Sequence, residues 1–220
     1  MSKILNAILD AMLPGQPLEM SEKYSHFPIL PGYEVEHHDC VYHVLATFPS
    51  RTGMKLVCVS IYNKRCENAF QIMNASSVEV VRDSVFGVGG LVLSTNSLVG
   101  DKEYLSPLII TASFRDADTE ELSELHLRNL ISGEELVAGV ADLEDIVAID
   151  DPFLMPRYPT GYSFAMEAEI PDSGAEMSRV VRAVKTFWGL DGIERTVIMD
   201  AVHPTDPKLD GFNVIRAVNA

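Results

Sequence analysis

The residues of this chain best equipped for chemistry stand together in "EVEHHDC", residues 34–40, where His37, His38, Asp39 and Cys40 precede an apolar run. A zinc site needs three or four ligands converging at fixed distance, usually as close pairs from two elements. His38 and Cys40, two apart on one strand face, can supply one pair, and nothing matches it. Cys58 falls on the opposite face, Cys66 stands alone, and His26, His126 and His203 lack nearby partners. Cys40 also shares a row with Tyr42, Val44 and Ala46, which reads as core. Neither a metal nor another cofactor is expected. On the other face His37, Asp39 and His43 line up with Ser60. A Ser-His-Asp relay needs the serine within hydrogen-bond reach of the imidazole and an oxyanion hole beside it. Ser60 sits inside a strand rather than on a sharp turn, so the polar edge of a strand is the favoured reading. His37, Asp39 and His43 stay in reserve as catalytic candidates.

Three further motifs could carry chemistry. "FGVGG" (86–90) places glycines after a strand, as phosphate loops do, but "LVLST" follows instead of a helix, so a bulge or tight turn is expected. "DADTEE" opens like a calcium loop, yet positions 6 and 12 hold Glu121 and Leu127 instead of glycine and glutamate. "HPTDPKLDG" gathers His203, Asp206 and Asp210, and its Asp-Pro and Asp-Gly steps are turn chemistry. His203 is the other reserve catalytic candidate.

The elements that would position these residues follow from periodicity. Ile4, Leu5, Ile8, Leu9 and Met12 recur at helical spacing, and "LPGQP" stops that helix. "CVYHVLATF" and "MKLVCVSIY" flank "PSRTG" as a hairpin. With Pro49 opposite Met54, Ala46 faces Val57, Val44 faces Val59 and Tyr42 faces Ile61. More strands follow in "AFQIM", "VEVVRDSVF", "GLVLST" and "LIITASF". Asp118 with Glu121, and Ser132 with Glu135, fit capping boxes, predicting two acidic helices between Asp118 and the end of "ADLEDIVAI". "YSFAMEAEI" alternates as a strand. Ser173 with Glu176 opens a third predicted helix, which has Met177, Val180, Val181, Val184, Phe187 and Trp188 on one face. "IERTVIMDAV" and "FNVIRAV" complete a β-α-β-β unit. The expected fold is α+β, predominantly antiparallel sheet. Its parts are a helix and Pro-rich tether at 1–31, a β-rich region with the acidic helices at 32–151, and the last unit at 152–220, packed as one domain.

Composition narrows the function. The chain has 220 residues, 47% hydrophobic and 22% charged, with a net charge of −15. That balance argues against direct nucleic-acid binding and against anionic lipid. The acidity is local: residues 101–151 hold 3 basic and 14 acidic side chains, a net of −11, while 1–100 and 152–220 each carry −2. No run reaches the roughly 18 apolar residues of a membrane helix. Three cysteines with no secretory start read as reduced thiols in a soluble, cytoplasmic protein. Such an acidic segment can steer toward a basic partner or imitate a row of phosphates. The expected function is therefore a non-enzymatic interaction or assembly protein, with a viral accessory or structural component and an inhibitor among its fitting settings. Glu134, Glu135, Asp142, Glu144 and Asp145 are the expected partner-binding residues, and residues 1–12 offer a route to a homo-oligomer. The alternative is a small intracellular hydrolase using His37, Asp39 and His43 or the 203–210 loop.

Overall fold

A computed structural model describes residues 29–62, 70–94, 106–169, 176–201 and 211–216. These fall into two compact units. One takes the described residues up to Leu154 together with Trp188–Glu194; the other takes Met155–Phe187 and those from Arg195 onward.

The larger unit holds two antiparallel sheets of five strands each. The first contains β1 (Glu34–His37), β2 (Cys40–Ser50), β3 (Gly53–Ser60), β4 (Phe70–Asn74) and β5 (Glu79–Arg82), in the order β4-β3-β2-β1-β5. The second contains β6 (Leu91–Ser94), β7 (Pro107–Arg115), β8 (Leu122–Asn129), β9 (Glu135–Gly139) and β10 (Ile146–Ile149), in the order β10-β6-β7-β8-β9. The smaller unit is built on a four-stranded sheet of β11 (Ser163–Glu169), β12 (Glu176–Trp188), β13 (Glu194–Asp200) and β14 (Asn213–Arg216) in sequence order.

Period-two burial drives these strands. Tyr42, Val44 and the cross-strand Leu56 and Cys58 point into one cluster with Val35, Met73 and Ile29. Cys40 packs against that same cluster. In the second sheet Val92, Leu108, Ile110, Leu125, Leu127, Ala138 and Ile146 share another. All five strands contribute to it, including both edges. The link between β9 and β10 is only residues 140–145, folded into turns by Asp142 N–H to the Gly139 carbonyl and Asp145 N–H to the Asp142 carbonyl. That short link joins the two edge strands of the sheet.

The α+β expectation is corrected: the described residues contain no helix of seven or more residues, and 59% of the structure is strand. The first predicted acidic helix is the turn after β7 and the strand β8, and the second is β9, a short 3-10 turn (Leu143–Asp145) and β10. The predicted C-terminal helix is β12, paired with β11 from Ser163↔Arg182 to Glu169↔Glu176. Helical spacing misled because paired apolar residues such as Val180-Val181 and Val184 satisfy i, i+3 and i+4 as readily as a strand buried on both faces. Ala183, off the predicted apolar face, is 1% exposed, and that decides between the two periods. The capping boxes were turn chemistry. Asp116, not Asp118, is the acceptor, receiving the N–H groups of Asp118 and Thr119 at 2.9 Å each. Asn129 does the same for Ile131 and Ser132. The predicted helix at 1–12 lies outside the described residues. No described helix is long and apolar enough to cross a membrane.

Candidate functional site

The "EVEHHDC" stretch folds as a two-residue hairpin turn. His37 pairs with Cys40, and His38 and Asp39 between them have φ of 49° and 59°. Left-handed backbone at both central positions is the type I′ geometry, whose twist matches that of the flanking strands. His and Asp tolerate this region better than most residues. The His37 ring lies against His38 in a tilted arrangement, centroids 4.0 Å apart, and its Nδ1 lies 2.8 Å from the Ser77 carbonyl oxygen. The stretch is thus a turn at the end of the sheet rather than a strand edge, since β1 lies between β2 and β5.

His43 sits two strands in from the β5 edge, in a row of charged side chains. Glu34 on β1 is its cross-strand partner and Arg82 on β5 is the next. Glu34 Oε1 lies 3.7 Å from His43 Nδ1 and 3.6 Å from Arg82 Nη1. The imidazole is mostly buried, and its Nδ1 makes no hydrogen bond among the described residues. Burial lowers the His43 pKa, Glu34 opposes that shift, and Arg82 reinforces it. An imidazole beside a carboxylate has two parts of a relay; among the described residues no serine or cysteine is hydrogen-bonded to it to act as nucleophile.

The expected register placed Ser60 opposite His43. Observed pairing agrees with expectation at Pro49↔Met54 and Ala46↔Val57, then shifts, so that Val44 meets Cys58, His43 meets Val59 and Tyr42 meets Ser60. Leu45 is the extra residue of a bulge. A one-residue slip sends every later side chain to the other face. Ser60 consequently shares the face of Tyr42, away from His43, and its Oγ accepts the Tyr62 N–H. The same slip brings Cys58 onto the face of Cys40 and Tyr42. Burial pushes the Cys58 thiol up to about 12. Burial first, and then the adjacent Cys40 thiol, raise the Tyr42 phenol. These are inert core groups.

"FGVGG" crosses between the two sheets of the larger unit. Gly89 N–H donates to the Ile110 carbonyl and Ile110 N–H donates to the Gly90 carbonyl, so the loop extends the β6–β7 ladder. A Cβ at Gly87 would meet the Gly32 carbonyl oxygen at 2.0 Å, and one at Gly90 the Val85 oxygen at 2.2 Å. Gly89, at φ +90°, leaves the notch that Leu45 fills. The glycines permit close backbone crossing and do not cradle phosphate.

The acidic residues are spread over several elements. Glu135 pairs with Arg128, Asp142 accepts the Gly139 N–H, and Asp151 accepts the Phe153 N–H. Glu134 and Glu144 are exposed, and Asp145 is half-buried. Val137 and Val140 stand among them at 58% and 68% exposure. Sequence reading missed a pair on the outer face of the second sheet: His126 Nε2 lies 2.8 Å from Glu124 Oε1, with Phe114 5.1 Å from the imidazole. Their i, i+2 spacing is a strand signal that a helical reading separates.

The described residues hold no group of three or more His, Cys, Asp or Glu placed to bind a metal ion. His203 and the 203–210 loop lie outside the described residues. No family model and no curated protein matches the chain.

Proposed function

We infer that this protein is an intracellular, non-enzymatic interaction or assembly module that docks a basic protein on the acidic surface of residues 134–145. Supporting this most directly is the exposure of Val137 and Val140 among Glu134, Glu135 and Glu144. An acidic face that served only hydration would need no valines, and leaving apolar area in water forgoes about 25 cal/mol per Å² of burial. An apolar centre within a charged surround is the anatomy of an interface. The net of −11 over residues 101–151 selects a basic partner and speeds its encounter. A viral component or an inhibitor of a nucleic-acid-binding protein suits such a module. The hydrolase alternative gains nothing at His43, which faces Val59.

A pull-down from the source lysate, at low and then high salt, tests the reading. A basic protein released by salt, and lost when Glu134, Glu144 and Asp145 are changed to lysine, is the expected result. Retention of every partner and assembly state by that variant would remove the proposal.

A further inference from the structure

Resting on that docking reading, we propose that the outer edge of β9 is a strand-addition site for an extended, basic segment of the partner protein. Among the described residues β9 pairs with β8 alone, so one row of its backbone donors and acceptors faces outward. Soluble proteins blunt such edges with lysine, proline, bulges or covering segments. β9 reads Glu-Leu-Val-Ala-Gly, contains neither lysine nor proline, and runs through five consecutive pairs with β8 without a register shift. The β5 and β10 edges of the same unit differ from it. The β5 edge has an irregular register and ends in Arg82, while Ala148 and Ile149 of β10 line a cleft of about 80 Å³ with Leu30, Pro31 and Val85.

The side chains along β9 describe the occupant. Glu135 and Val137 alternate on the outer face, while Leu136 and Ala138 turn to the core side. An added strand places one residue opposite each of these, and opposite charges across a strand pair are favourable. A basic residue suits the position beside Glu135, and apolar residues suit those beside Leu136, Val137 and Ala138. Beside Gly139 there is no side chain, and its neighbour on β8 is Glu124, whose side chain, paired with His126, is 44% exposed. A long lysine or arginine lying across Gly139 reaches toward that carboxylate. The fitting segment is therefore basic at both ends of a three-residue apolar centre. A second copy of this chain is the poorer occupant, because it brings another segment of net −11 to the same edge.

Fluorescence anisotropy with a labelled peptide of core Arg-Val-Val-Val-Lys tests the site on the full chain. The control is the same peptide with its valines N-methylated, which keeps the charge and side chains but removes strand donors. The parent peptide should bind, and the N-methylated one should bind about tenfold more weakly, the worth of one or two net hydrogen bonds. Bound parent peptide should slow amide exchange across residues 135–139, and Val137→Lys should abolish that protection. Equal affinity for the two peptides, protection elsewhere, or no binding at all would overturn strand addition. So would a dimer of the chain alone that Val137→Lys dissolves, because the edge would then belong to a second copy. A lysate partner lost on acid reversal yet retained by Val137→Lys would leave the docking reading standing and remove this one.

Discussion

At the residue scale the histidine-rich stretch matters for backbone conformation rather than for catalysis. His38 and Asp39 hold left-handed backbone that asparagine and glycine adopt more easily. Changing His38→Asn with Asp39→Gly should therefore stabilise the chain by roughly 0.5–1 kcal/mol in urea unfolding, whereas Asp39→Val should destabilise it. His43 sets a pH dependence. Its pKa is lowered in the folded state, so the unfolded chain binds more protons on acidification. The associated stability is complete above the ordinary histidine pKa of about 6.5 and is lost as pH falls below it. Unfolding midpoints should drop through that window, and His43→Gln should flatten the drop. Cys58, buried and held at about 12, should resist alkylation in the folded protein at pH 8 and react only on unfolding, as peptide mapping would show.

At the scale of elements, the crossing of residues 83–90 against the β2 bulge decides what the first sheet presents. Gly87→Ala and Gly90→Ala would each drive a methyl into a backbone oxygen that has no rotamer through which to yield. Losses of roughly 3–5 kcal/mol in unfolding are expected, the range of the most damaging point changes. Gly133→Ala is the control: nothing lies within 4 Å of its Cβ position, so only its φ of +74° opposes the change, at a cost of about 1 kcal/mol. Equal losses at all three positions would refute close packing as the reason for the glycines.

At the scale of the whole molecule, charge is the dominant feature. A chain of net −15, with −11 in fifty-odd residues, repels itself in the folded state. Raising the salt shortens the Debye length from about 30 Å at 0.01 M to about 8 Å at 0.15 M. Tm should rise over that range, and neutralising Glu134 and Glu144 with glutamine should reduce the rise. A Tm that falls with salt would mean that attractive pairs such as Glu135–Arg128 outweigh the repulsion.

Local chemistry was legible from the residues alone. The β2–β3 hairpin, the core row of Cys40, Tyr42 and Val44, the strand at β11 and the position of the acidic segment all follow from side-chain type and a period of two. Asp116 shows how the right chemistry can be assigned to the wrong frame. A side-chain oxygen collecting N–H groups two and three residues on serves an Asx turn as well as a helix cap, and only the pairing of β7 with β8 separates them. Tertiary structure alone decided the rest. Helix or strand at β8, β9 and β12 was settled by whether neighbouring strands were there to take the backbone hydrogen bonds. Leu45 became a bulge because Gly89, forty-four positions away, leaves room for it. That single insertion turned Ser60 from His43 and brought Cys58 to Cys40, because a pleated strand reverses its faces with every residue.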